Sequence, residues 1–234
     1  RSGLDRDGDG KEDDLIASNL FIGKSLGAIY NYELDGIWQI GDDVPKGYYP
    51  GNYRIVDQDG DGKITADKDR VFLGKTEPAY LLGFQNNLIY KNFSFRFFVN
   101  TIQGGKDGYL GSQFEDSGNS TGNFANANYF TFLDHWSVTN PDAKYSVWYR
   151  SPQINPAQYC SRSFVRLQDI SLAYNLEKSV LKKIGLYGLK LYVSGKNLLT
   201  FSNWDGWDPE TNQGIQSTYY PVMKSITFGV DIEF

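Results

Sequence analysis

The last nine residues, Ile226-Thr227-Phe228-Gly229-Val230-Asp231-Ile232-Glu233-Phe234, constrain the fold of this chain more than any other stretch. Ile226, Phe228, Val230, Ile232 and Phe234 fall on one face, and Thr227, Gly229, Asp231 and Glu233 on the other. A period of two marks a strand with one apolar and one wet face. In a soluble sandwich the apolar face points inward. In a membrane barrel it points outward to lipid, and the wet face lines the lumen.

The same alternation recurs. In 28–38, Ala28, Tyr30, Tyr32, Leu34 and Trp38 oppose Asn31, Glu33 and Asp35. In 80–90, Tyr80, Leu82, Phe84, Leu88 and Tyr90 oppose Gly83, Gln85 and Asn87. Segments 93–101 and 188–201 repeat the pattern. In 162–176 the phase flips between Leu167 and Ile170, which a bulge near Gln168 reconciles. Lys91-Asn92 is a turn short enough for a hairpin. Glu177–Gly185 reads as a short helical turn stopped by glycine. The remaining connections, 39–79, 102–161 and 202–223, are long and polar. Short turns at one end and long loops at the other suit a membrane barrel, and such long loops are rare in compact soluble domains. Six strands are expected, but closure in lipid needs at least eight. An open edge is not tolerated there, so the strands must pair with others outside this sequence.

Composition agrees. Among 234 residues there are 17 Tyr, 15 Phe and 5 Trp, an excess that aromatic girdles at the membrane interfaces explain. A net charge of −5 argues against a nucleic-acid partner, which needs a basic surface. No apolar run is long enough for a transmembrane helix. Cys160 is the only cysteine, so no internal disulfide or cysteine-based zinc site is expected. His135, the only histidine, lacks a partner at motif spacing and reads as packing. With no nucleophile elbow, phosphate loop or histidine metal motif, the chain is not expected to be an enzyme. It opens on Arg1 rather than Met and reads as a piece of a longer protein.

Two acidic runs carry coordination chemistry. Asp57, Asp59 and Asp61 stand at positions 1, 3 and 5 of a loop, with Gly62 at position 6 and Ile64 at position 8. A hard cation needs six to eight oxygens, and alternate carboxylates converge when a turn wraps them. The expected set is Asp57, Asp59, Asp61, the Lys63 carbonyl and Asp69 around a structural Ca²⁺. Position 12, where a bidentate Glu belongs, is Lys68, and affinity is expected to suffer. The run 5–14 repeats the core with Asp5, Asp7 and Asp9, and Asp13 at position 9. Strands rather than helices flank both loops, so an EF-hand proper is not expected.

Five segments in order resemble one family. They are Gly27–Gln39; the Asp57–Asp69 loop with Arg70–Gly74; Gly83–Ser94; Phe164–Tyr174; and Leu191–Phe201, followed by Asp208-Pro209-Glu210 and the terminal strand. Together they resemble the C-terminal part of SusC/RagA-type TonB-dependent outer-membrane transporters, over essentially the whole chain. The resemblance implies an all-β, antiparallel transmembrane barrel of about 22 strands with long extracellular loops and a plugged lumen. Residues 1–234 are then one C-terminal barrel segment, with the plug domain and N-terminal strands outside this sequence. It also implies the outer membrane of a Gram-negative bacterium and import of oligosaccharides or peptides. The partners would be a SusD-like surface lipoprotein as lid and TonB, reached through the plug. Phe228, Val230, Ile232 and Phe234 are then lipid-facing residues of the assembly signal at the chain end. Trp204, Trp207, Tyr219 and Tyr220 are aromatics for sugar stacking, an interface belt or lid contacts, and no substrate residue is readable. The competing expectation is a secreted, calcium-loaded, carbohydrate-binding β domain.

Overall fold

The computed structural model describes residues 5, 8–108, 133–147, 152–206, 208–210 and 222–234. Two compact units are present. One comprises Arg1–Glu77 with Gly105–Ser161, the other Pro78–Gly104 with Arg162–Phe234.

The second unit is a five-stranded antiparallel sheet. Its strands are β5 (Pro78–Tyr90), β6 (Phe93–Gly104), β9 (Phe164–Asn175), β10 (Gly188–Ser202) and β11 (Ser225–Glu233), in the order β11-β10-β9-β6-β5. Each expected segment from residue 80 onward is a strand here. β5 and β6 pair from Tyr90↔Phe93 outward, around a two-residue turn in which Lys91 takes φ +51°. Positive φ at the first turn residue matches the right-handed twist of hairpin strands. β9 and β10 are joined through α1 (Lys178–Ile184), which Gly185 ends at φ +72° by donating its N–H to the Leu181 carbonyl. The expected bulge is present. Phe98 pairs with Asp169 and Val99 with Leu167, which leaves Gln168 as an extra residue on β9. On the other side, β10 skips from Lys196 to Leu199 across the same point, with Asn197 at φ +53°. β6 pairs directly with β9, so residues 105–161 insert no strand between them.

The first unit corrects one expectation. Segment 28–38 is not a strand of that sheet. It splits at Glu33 into β1 (Ala28–Tyr32), paired with β4 (Arg70–Lys75), and β2 (Leu34–Ile37), paired with β3 (Tyr53–Ile55). The pieces are 5 and 4 residues long. A membrane-spanning strand needs about 9–11. Of the expected loops 39–79 and 102–161, the described residues from 39 to 77 and from 105 to 161 belong to this unit, with β7 (Lys106–Asp107) pairing β8 (Cys160–Ser161).

This unit has an ordinary apolar core of Ile37, Tyr53, Trp136, Ala143 and Val147, with Leu34 packed against it. Gly51 permits it: at φ +95°, a Cβ there would lie 2.6 Å from the Trp136 ring. Trp136 Nε1 donates to Gln39 Oε1 at 3.0 Å, so the indole is buried with its polar edge satisfied. Burial pushes the Tyr53 hydroxyl up to about 12. A second cluster joins Phe21, Tyr30 and Phe72, with ring centroids 4.8–5.0 Å apart.

Candidate functional sites

Register decides which residues share a face of the sheet. Directly opposed residues point the same way. Val193 faces Phe228, Leu191 faces Val230, Leu172 faces Val193, Phe95 faces Leu172 and Leu88 faces Phe95. One apolar row therefore crosses all five strands. Its residues are exposed (Phe228 to 80%, Leu88, Val230, Leu191, Leu172) or half-buried (Phe95, Val193), and Phe234, just past β11, is 85% exposed. The neighbouring positions give the opposite row: Thr227, Ser194, Ser171, Arg96 and Asn87. On that polar face Arg96 pairs with Asp169 at 3.3 Å beside Gln85, Gln168 and Lys196. A soluble domain buries its apolar face. Here the apolar face is the solvent-free side only if lipid covers it.

The acidic loops share one backbone design. In the second, Asp57 accepts the N–H groups of Gly60 and Gly62 at 2.8 and 2.7 Å, and Asp61 accepts that of Lys63 at 2.9 Å. In the first, Asp5 accepts those of Gly8 and Gly10 at 2.7 and 3.0 Å, and Asp9 that of Lys11 at 2.8 Å. The glycines lie at φ +72° to +84°, which a side chain rarely adopts. Asp57, Asp59 and Asp61 each offer a carboxylate oxygen within 4.8 Å of the others. Asp13 is half-buried, and Asp7 lies outside the described residues.

Two expected features of the second loop are placed differently. Asp69 is fully buried (0% exposed) and does not join the three. Its Oδ1 accepts the Gln58 N–H at 2.9 Å and its Oδ2 the Thr65 N–H at 2.5 Å, so it ties the loop's ends together. Lys68 puts its Nζ 2.7 Å from Asp59 and 2.9 Å from Asp61. Its hydrogen bonds hold both carboxyls below the usual carboxylate range, and they in turn raise the lysine above its ordinary value. The ammonium stands where a divalent ion would gather the carboxylates. As arranged, the cluster fits a monovalent tethered cation, and a metal fits only after Lys68 withdraws. Lysine in place of the position-12 acid was the sequence signal for this.

Beside this loop lies a cavity of about 670 Å³, walled by Trp38, Tyr48, Arg54, Lys63, Ile64 and Gln153 among others. Elsewhere in this unit, His135 donates from Nδ1 to the Ser146 carbonyl at 2.8 Å, and burial lowers its pKa. Cys160 is buried with its Sγ 3.4 Å from the Tyr145 hydroxyl, a packing position. Trp204 is buried (7% exposed), which removes it from the aromatics available for stacking. Trp207, Tyr219 and Tyr220 lie outside the described residues. Sequence reasoning assigned no role to Arg166, a 2%-exposed arginine on the polar face bound to Asp208 and Glu210.

No protein-family model matches the chain. Curated relatives do. The chain is 34% identical over 241 aligned positions to TonB-dependent receptor P3 of Formosa agariphila, covering 91% of this chain and 22% of that protein. It is 25% identical over 222 positions to TonB-dependent receptor SusC of Bacteroides thetaiotaomicron, covering 91% and 20%. The chain thus spans about a fifth of the length of these relatives. A solved structure of the RagAB peptide transporter shares the fold, with a TM-score of 0.61 and 23% identity over 88% of this chain and 23% of its own. An all-β antiparallel sheet with its apolar face outward, matched in sequence and fold by these receptors, belongs to the barrel of a SusC/RagA-type TonB-dependent receptor.

Proposed function

We propose that this chain is barrel wall and outer-surface structure of an importer in the outer membrane of a Gram-negative bacterium. The whole protein takes up oligosaccharides or peptides, is energised through TonB and works with a SusD-like surface lipoprotein. The carrying observation is the inverted sheet. Five strands of 9–15 residues share one continuous apolar face that the sheet leaves exposed or half-buried, and β5 and β11 each have a single neighbour in it. Lipid covers such a face, and the remaining strands of the barrel take up the two edges. With the C-terminus in the periplasm, β10 runs outward, β9 inward, β6 outward and β5 inward. The Lys91-Asn92 turn and α1 are then periplasmic, and the connections 39–79, 102–161 and 202–223 face the cell exterior.

The test is expression of the full-length gene. A heat-modifiable protein in the outer-membrane fraction supports the reading, with TonB- and lipoprotein-dependent uptake of labelled glycan or peptide. Cysteine at position 142 labels on intact cells and at position 182 does not; the reverse pattern overturns the orientation. Recovery as a soluble protein without detergent returns the secreted carbohydrate-binding reading.

Calcium belongs to the same proposal, as a structural ion near the barrel mouth. Asp57, Asp59 and Asp61 hold it once Lys68 moves away, and Asp5, Asp7, Asp9 and Asp13 form the corresponding set of the first loop. The convergent carboxylates support this, and Lys68 competes with it. Calorimetric calcium titration of the full-length receptor decides it: Lys68→Ala binds at least tenfold more tightly than wild type. Equal affinity removes Lys68 as a competitor, and no heat in either protein removes the site.

A further inference from the structure

The chain leaving β10 does not run outward into solvent. Ser202 donates its hydroxyl to the Ser163 carbonyl at 2.9 Å and accepts the Trp204 N–H at 3.0 Å, which turns the segment back over β9. Asp208 and Glu210 then reach Arg166. The guanidinium donates from Nη2 to Asp208 Oδ2 at 2.8 Å, from Nη1 to Glu210 Oε2 at 2.5 Å and from Nε to Thr200 Oγ1 at 3.0 Å. Its plane sits 4.7 Å from the centre of the Phe164 ring. Asp208 Oδ1 accepts the Glu210 N–H at 2.8 Å, so the two acids are preset as a pair. Arg162 adds two bonds of 3.0 Å, from Nε to the Pro209 carbonyl and from Nη2 to the Glu210 carbonyl. Each of the three guanidinium nitrogens of Arg166 thus makes a hydrogen bond, two of them to carboxylates, the pairing that a buried charge requires.

Register fixes the side on which this happens. Arg166 opposes Thr200 and Asn100, and Phe164 opposes Ser202 and Ile102. These positions belong to the polar face that carries Arg96, Asp169 and Lys196, not to the lipid row.

We propose that Ser202–Gly206 with Asp208–Glu210 forms a strap folded into the barrel lumen at its loop end, narrowing the bore, and that Arg166 is its positioning residue. The strap sets which solutes pass that level. It rests on the reading of the polar face as the lumen. A solvent-exposed surface loop needs no buried arginine. One that must stay against the inner wall, beside passing solute, does.

The test uses the full-length receptor with Cys160→Ala and any other cysteines replaced, carrying Asp205→Cys in outer-membrane preparations. A small methanethiosulfonate labels position 205 at the same rate in every variant. A 5 kDa polyethylene glycol maleimide, excluded from the lumen, labels the wild-type background slowly. Arg166→Met frees the strap and raises that rate at least tenfold, and Arg166→Lys restores part of the protection. Asp208→Asn with Glu210→Gln cuts the same contacts from the strap side and gives the same rise, should Arg166→Met not assemble. Equal bulky-reagent rates in heat-modifiable barrels overturn the strap alone. A wild-type protein recovered as a soluble species overturns the barrel reading beneath it.

Discussion

Replacing Val230 by Arg tests the face assignment where it is most demanding. Val230 lies on β11 opposite Leu191, in the row shared with Phe228 and Ile232. β11 spans Ser225–Glu233, so its midpoint is Gly229 and Val230 is the next residue. At about 3.4 Å per residue and a tilt near 45°, this is a displacement of about 2.4 Å along the membrane normal. The apolar band of such barrels is about 25 Å tall, so Val230 sits close to its middle. There an arginine facing lipid costs about 2–4 kcal/mol. That is about 30- to 700-fold in the folding equilibrium. Thr227→Arg is the control. It lies two residues before the midpoint on the opposite row, facing the polar side, and should cost no more than about 0.5 kcal/mol. Guanidinium titrations of the full-length receptor in lipid vesicles measure both. Equal costs, or a larger one for Thr227→Arg, would refute the assignment of faces.

Gly229→Ala should lose about 1–3 kcal/mol by overpacking, because its Cβ would come within 2.1 Å of the Tyr192 ring. Adding Tyr192→Ala should recover most of the loss, and an unchanged double variant would show that the ring is not the obstacle. His135 has a folded-state pKa lowered by burial, so folding favours its neutral form. Stability of the first unit is then complete above about pH 6.5, the unfolded value, and declines as pH falls through the lower folded value. Amide exchange in 133–147 at pH 7.5 and 5.5 reads this, and identical protection at both would remove the histidine as the cause. Deleting Phe234, the exposed end of the lipid row, should lower the amount of receptor in the outer membrane; undiminished levels would deny it an assembly role.

Legibility followed the range of the interaction. The sheet could be read because alternation is local, and even the bulge at Gln168 showed as a flip of phase. The same rule misplaced 28–38. A period of two reports that one face is buried or wet, not how long the strand is or what it pairs with. β1 and β2 alternate as cleanly as β10 and are too short to cross a bilayer. In the acidic loop, the three aspartates and the intruding lysine sit at readable positions. The capture of Asp69 depends on where the Gln58 and Thr65 amides point, which spacing alone does not tell. Arg166 was illegible for a different reason. Its partners Asp208 and Glu210 lie 42 and 44 residues away, across a turn, a helix and the whole of β10.

The two units obey opposite rules, and this explains why averaged properties say little. The first buries Ile37, Tyr53 and Trp136 and exposes charge, as a water-soluble domain does. The second exposes Leu82, Phe84, Leu88, Phe228 and Ile232, and buries an arginine with an aspartate. A mean hydropathy of −0.46 mixes the two and resembles neither. The inversion carries a physical consequence for how the chain acquires its fold. A sheet with an apolar face and two open edges is, in water, a template for further strands. Only lipid on the face and partner strands on the edges make it stable, so its folding belongs to membrane insertion. The first unit has its own core and short, locally closed sheets, and needs neither. One chain thus joins an element that water can fold to one that it cannot, with the covalent joins at Glu77-Pro78, Gly104-Gly105 and Ser161-Arg162. All three fall at the end of the sheet where Pro78 pairs with Gly104 and Ile102 with Phe164. Insertions of this size survive in a barrel because they enter at the loop end, where no backbone hydrogen bond of the membrane-spanning ladder is interrupted.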